Sequence, residues 1–179
     1  MSTTDTQLDV LAVFSHPDDV ELTAGGTLLK LKSLGYRTGV LDVTRGEMGT
    51  RGTPEIRAEE AREAARILKL DVRLNLEQPD GHVWLNEDSR RALVRVIRTY
   101  RPRVLFAPQL DDPHPDHTHT AHIVREGARL RARHLDHELQ EWGHGLTFSQ
   151  YITLKKLACG IASATDLARA AEMTPGAMT

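Results

Sequence analysis

The sequence predicts an α/β fold, a parallel sheet joined by right-handed crossovers with helices on both faces. Two observations carry this. Short apolar runs alternate four times with segments of helical periodicity. Each run is also followed at once by a polar stretch: "SHPDD", "TRGEMG", "QPDG" and "DDPHPDH". In an open parallel sheet such stretches gather outside the carboxyl ends of the strands, where ligands bind. With 179 residues, the chain is long enough for one sizeable core.

"LDVLAVF" (8–14) is short and continuously apolar, as a strand buried on both faces should be. A helix is expected from Asp18 or Asp19 to about Ser33, with Leu28, Leu29, Leu31 and Leu34 on its apolar side and Gly35 as its stop. "RTGVLDVT" (37–44) is the second strand, and "RGEMGTRGTP" (45–54) is a glycine-rich loop. That loop lacks the G-x-G-x-x-G of a dinucleotide site and the G-K-[ST] of a phosphate loop. "PEIRAEEAREAARILKL" (54–70) is a helix: Pro54 suits the first turn, acids lead, and Ile56, Ala61, Ala64, Ile67 and Leu68 recur at helical spacing. "DVRLNL" (71–76) is the third strand, followed by the turn "QPDG" (78–81). "SRRALVRVIRTY" (89–100) is helical and "RPRVLFAP" (101–108) is the fourth strand.

A net charge of -2 argues against a nucleic-acid or anionic-membrane surface, since both need a basic face. Basic residues are scattered, apart from Arg129, Arg131 and Arg133. No apolar run approaches the roughly 20 residues of a membrane span. The start "MSTTDTQ" lacks the pattern of a secretory signal, and a single cysteine, Cys159, allows no internal disulfide. A cytoplasmic location is therefore expected, with neither nucleic acid nor membrane as partner. Nine histidines draw attention to metal and acid–base chemistry.

His16 and Asp19 flank a proline at a strand end, and "HPDH" repeats the layout with His114 and His117. One such turn reads equally well as a helix cap. Two of them, on two strands of one sheet, point to a metal centre. A mononuclear hydrolytic zinc needs three protein ligands and one open position. It also needs a base that is not a ligand and a group that stabilises the oxyanion. His16, Asp18, Asp19, His114, Asp116 and His117 supply enough donors, but spacing alone does not allocate the roles.

"HPDDVELTAGGTL", "TRGEMGTRGT", "EIRAEEAREAARIL", "QPDG" and "HPDH", in that order over residues 8–126, resemble the zinc-dependent N-acetylglucosamine deacetylases of the LmbE/PIG-L family. Within it they are most similar to the branch that deacetylates N-acetylglucosaminyl-malate in bacillithiol synthesis. The resemblance implies a Rossmann-like fold and hydrolysis of an acetamido sugar conjugate to acetate and a free amine. It implies His16, Asp19 and His117 as zinc ligands, with iron(II) an alternative metal. Asp18 becomes the general base, protonated His114 the oxyanion stabiliser, and Asp116 the support of the base–histidine arrangement. Arg57 and Asp80 match positions that contact sugar hydroxyls. The glycines at 25, 26, 46 and 49 are read as permitting tight turns. His119 and His122 are expected on the helix leaving "HPDH", pointing away from the metal, and His82 is a candidate pocket wall.

The resemblance fades after Glu126. Residues 1–126 are read as the core, and 127–179 as a divergent or shortened C-terminal segment of the same domain. "GARLRARHLDHELQEWGHG" is a charged helix and its stop, "LTFSQYITL" a strand or helix start, and "SATDLARAAEM" a short helix. His134, His137, Trp142, His144 and Cys159 receive no functional role. Two other readings stay open: a catalytically impaired remnant that still binds metal or sugar, and a different metallohydrolase such as a two-metal phosphoesterase. A homo-oligomer is likewise an open option.

Overall fold

The computed structural model describes the backbone of residues 6–142 and the side chains of residues 6–129. The chain divides into two compact units, Met1–Ala128 and Arg129–Thr179, and the sheet lies in the first. Strands β1 (Val10–Phe14), β2 (Thr38–Thr44), β3 (Val72–Gln78) and β4 (Val104–Phe106) pair in the order β3-β2-β1-β4, and every neighbour is parallel. The helices are α1 (Asp19–Thr23), α2 (Gly25–Ser33), α3 (Pro54–Leu68), α4 (Glu87–Tyr100) and α5 (Pro115–Trp142).

The predicted cover on both faces is present. Successive side chains of a strand point to opposite faces. Leu11 and Val13 therefore pack with Leu41 and Val43 against Leu93 and Ile97 of α4 and Ile123 and Val124 of α5. Val10, Ala12 and Phe14 pack on the other side with Val40, Val20 of α1 and Leu28 of α2. β1 is thus buried throughout, which is why its sequence is continuously apolar.

Several boundaries differ from expectation, and three of them have a visible physical reason. The helix expected up to Ser33 is two helices, because Ala24 has φ -129° and ψ -1° and breaks the run before the Gly25-Gly26 pair. Thr23 Oγ1 also bonds the Asp19 carbonyl at 2.7 Å, a back-bond that disturbs a helix end. The fourth helix begins at Glu87, since Asn86 and Ser89 form a reciprocal capping box ahead of it. β3 runs on to Gln78 through a register shift opposite Asp42 and Thr44, where Glu77 takes φ 54°. Such a bulge bends its strand, and here it precedes the "QPDG" turn. Gly35 does end α2, at φ 86°. The helix expected after "HPDH" and the charged helix expected after Glu126 are one continuous backbone helix, α5. The readings at His134, His137 and Trp142 concern side chains outside the described residues. Those at His144, Cys159 and "SATDLARAAEM" lie wholly outside them.

Inside the α3 side of the sheet, Arg73 donates Nε and Nη2 to Asp42 at 2.8 and 3.1 Å and pairs with Glu21 through Nη1. Burial pushes the Asp42 carboxyl above its ordinary range, although Arg73 pulls it down. Arg73→Ala would leave that carboxylate buried and unpaired. It should cost about 3–5 kcal/mol in urea unfolding at neutral pH. A raised folded pKa favours the native state as pH falls, so the deficit relative to the parent should narrow in acid.

Candidate active site

The carboxyl ends of the strands are stitched together by buried polar groups. The Ser15 carbonyl, just after β1, accepts from Thr44 N at 2.8 Å and from Thr44 Oγ1 at 3.1 Å. Ser15 Oγ pairs with Thr120 Oγ1 of α5 at 2.8 Å. Asn75 Nδ2 of β3 donates to the Thr44 carbonyl at 2.6 Å. β1, β2, β3 and α5 are therefore tied at one edge. The strand order also reverses beside β1, the place where an open sheet leaves a crevice.

Into that crevice project His16, Asp19 and His117, whose ligating atoms all lie within 4.8 Å of one another. Asp19 Oδ2 is 3.3 Å from His16 Nδ1 and 3.2 Å from His117 Nε2, and it accepts from His16 N at 2.9 Å. Each imidazole is held at its far nitrogen by a second carboxylate. His16 Nε2 lies 2.9 Å from Asp80 Oδ1 and 3.4 Å from Asp116 Oδ2, and His117 Nδ1 lies 3.2 Å from Asp112 Oδ1. Carboxylates behind metal-binding histidines fix ring orientation and tautomer. The donor set, two imidazoles and one carboxylate with such support, fits zinc or iron(II).

Asp18 and Asp19 are adjacent but unlike. Asp18 occupies the cap position of α1, yet its side chain makes no capping bond. Its φ of 122° is strained for a residue with a Cβ, at a cost of about 1–3 kcal/mol. The Asp18 side chain is 62% exposed, 3.4 Å from Arg57 Nη2. Partial burial raises its carboxyl above the ordinary value, with Arg57 and His16 opposing and Asp19 adding to the rise. Burial would raise Asp19 as well, but hydrogen bonds from His16 and the charge of His117 hold it below. The helix-cap reading of this turn therefore fails for Asp18.

A cup of about 290 Å³ is lined by His16, Asp18, Met48, Gly49, Arg57, Asp80, Gly81 and His114. His114 is solvent-exposed at its rim, with its ring 5.0 Å from that of His16 and 4.7 Å from that of His117. Asp116 N donates to His114 Nδ1 at 3.2 Å, so Nδ1 is engaged as an acceptor. Asp116 is 2% exposed. It accepts from Gly81 N at 2.8 Å and from Val83 N at 3.2 Å, tying the loop after β3 to α5 and to His16. Asp80 is 7% exposed, with Oδ2 accepting from Met48 N at 2.8 Å. A larger cavity of about 670 Å³, bordered by Asp42, Arg45, Ala61 and Arg73, lies along α3 away from these donors.

All eight residues singled out in the sequence thus meet at one edge. Their packing adds detail that spacing did not offer. Asp80 and Asp116 stand behind His16, and Asp112, not singled out beforehand, stands behind His117. The visible signal for Asp112 was its place in an acidic pair five residues before His117. His119 turns away to meet the Trp84 ring, tilted by 43° with centroids 4.6 Å apart. His82 bonds the Asp80 carbonyl at 3.2 Å and is exposed rather than part of the cup lining.

Fold and site together define a Rossmann-like protein with a His-Asp-His cluster at the sheet's switch point that could hold a metal ion. The profile of the PIG-L family (GlcNAc-PI de-N-acetylase) matches residues 11–128, and the chain belongs to that family. It is 33% identical over 124 residues to the diacetylchitobiose deacetylase of Thermococcus kodakarensis, covering 64% of this chain and 46% of that protein. It is 30% identical over 126 residues to the uncharacterized deacetylase YaiS of Escherichia coli, covering 69% and 67%. Among solved structures, the conserved protein TT1542 of Thermus thermophilus superposes with a TM-score of 0.68 at 49% identity, covering 70% and 57%. The chain therefore spans about half to two-thirds of the length of these relatives. No helix among the described residues is long and apolar enough to cross a membrane.

Burial lowers the His16 imidazole, but the hydrogen bond and charge of Asp19, the charge of Asp80 and the bond to Asp116 outweigh it and hold it up at about 9. A metal ion must displace that proton, since only neutral imidazole ligates. Zinc affinity should therefore rise as pH climbs towards about 9. Calorimetry in buffers of different ionisation enthalpy should register proton release on binding, and pH-independent affinity would contradict this.

Proposed function

We propose that this chain is a metal-dependent deacetylase that hydrolyses the acetamido group of an N-acetylglucosamine conjugate. The finer reading takes zinc as the metal, iron(II) as its alternative, and N-acetylglucosaminyl-malate of bacillithiol synthesis as the substrate. The carrying observation is the unlike setting of two adjacent acids: Asp19 faces two imidazoles, while Asp18 stays outside that cluster with a raised carboxyl. A family match over residues 11–128 and a diacetylchitobiose deacetylase among the relatives support this reading.

His16, Asp19 and His117 would hold the ion, with Asp80, Asp116 and Asp112 behind the imidazoles. Bound there, zinc supplies Lewis-acid polarisation of the carbonyl and lowers the pKa of water towards about 7. Asp18 accepts the proton of the attacking water as general base. As the amide carbonyl becomes tetrahedral, His114 Nε2–H donates to the developing oxyanion. When the C–N bond breaks, Asp18 returns its proton to the leaving nitrogen, giving acetate and a free amine. Arg57 and Asp80 wall the cup where the sugar would rest. Residues 127–179 are proposed to belong to the same domain, in the cytoplasm.

Zinc-loaded protein should release acetate from N-acetylglucosaminyl-malate or a related acetamido sugar, and a chelator should abolish it. No release from any acetamido sugar would end the enzymatic reading. Asp19→Ala should lose metal and activity together. Asp18→Ala should retain one metal per chain and lose about 10²–10⁴-fold in kcat. Equal metal loss in both variants would undo the assignment.

A further inference from the structure

Gly46 and Gly49 leave a gap that the Arg57 guanidinium fills. A Cβ on Gly46 would lie 2.5 Å from Arg57 Nε and 2.7 Å from Cζ, and a Cβ on Gly49 would collide with Nη1. Seated under these glycines, the Arg57 side chain is only 16% exposed. From there Nη2 donates to the Pro17 carbonyl at 2.8 Å and lies 3.4 Å from Asp18 Oδ1.

The Pro17 carbonyl belongs to the peptide plane that ends at Asp18 N. A group that holds this carbonyl therefore holds the plane about which φ of Asp18 is set. Asp18 has φ 122° and ψ -27°. Reversing that one plane by about 180° would bring φ to about -58°, which with the present ψ is ordinary right-handed helix. The relaxed alternative is thus one peptide reversal away, with Asp18 absorbed into α1. In the reversed plane the Asp18 N–H would point towards the guanidinium, donor against donor, and the bond to Pro17 would be lost.

We propose that Arg57 is the positioning residue for Asp18. Seated by Gly46 and Gly49, it selects the strained Pro17–Asp18 peptide through the Pro17 carbonyl and, with Nη2 3.4 Å from Oδ1, holds the Asp18 carboxylate at the cup. The conformational claim stands on the geometry alone, and its catalytic consequence rests on the reading of Asp18 as the base. Gly49 is the informative glycine. Gly46 has φ 67°, so any side chain there is strained whatever its neighbours, whereas Gly49 lies outside that region and an added methyl chiefly displaces the guanidinium.

Crystal structures of full-length Arg57→Ala and Gly49→Ala test this without reference to activity. Both should show the Pro17–Asp18 peptide reversed and a negative φ at Asp18. If Arg57→Ala does not fold, Gly49→Ala decides. Asp18 still near its present φ with the guanidinium displaced or removed overturns the proposal. On an acetamido sugar that the parent protein deacetylates, Gly49→Ala should lower kcat about tenfold or more, with zinc content unchanged. The same glycine substitution should cost nothing further in an Arg57→Ala background. An additive loss would mean that Gly49 acts through its own loop and would overturn the cradle. A parent protein that releases no acetate sinks the deacetylase reading, and the crystallographic arm still decides the peptide.

Discussion

One buried residue, Ser15, sets the spatial frame of the site. Its carbonyl takes two hydrogen bonds from Thr44 and its hydroxyl meets Thr120. A side chain without exposure to water must satisfy its polar atoms inside the protein, so these contacts fix β1, β2 and α5 to one another just where the sheet ends. His16 is the next residue of the chain, and His117 lies one turn of α5 before Thr120. The separation of the His16 and His117 imidazoles follows from that stitch.

The charges at the edge are then arranged in layers. Asp19 stands between two imidazoles, and Asp80, Asp116 and Asp112 stand behind them. In a partly buried crevice the hydrogen bond and charge of Asp19, the charge of Asp80 and the bond to Asp116 hold the His16 imidazole up at about 9 despite its burial. A divalent cation would replace the proton on that ring and satisfy the same carboxylates. Asp18 escapes this layer only through an unfavourable backbone conformation. Strain of that kind persists when surrounding structure over-determines it, and Arg57 with its two glycines supplies the surroundings.

Much of this was legible beforehand, for identifiable reasons. The four parallel strands and the two-sided cover follow from periodicity, because a strand buried on both faces must be apolar at every position, as "LDVLAVF" is. The convergence of "SHPDD", "QPDG" and "DDPHPDH" follows from the direction of parallel strands. Helix ends were less legible. The break at Ala24 depends on one backbone dihedral, and the bulge before Gln78 depends on pairing with β2, neither of which changes local composition.

The sequence by itself determined the fold class, the edge at which the site forms and the donors available there, since these depend on residue type and strand direction. Only the tertiary structure decided how those donors are placed against one another. Asp18 and Asp19 are identical in chemistry and adjacent in the chain, yet Asp18 lies beside Arg57 and Asp19 between two imidazoles. Asp80 and Asp116 look like turn and helix-start residues until burial presses both against His16. Distances across a sheet edge are set by packing among segments a hundred residues apart, as with Ser15 and Thr120, and local sequence carries no record of them.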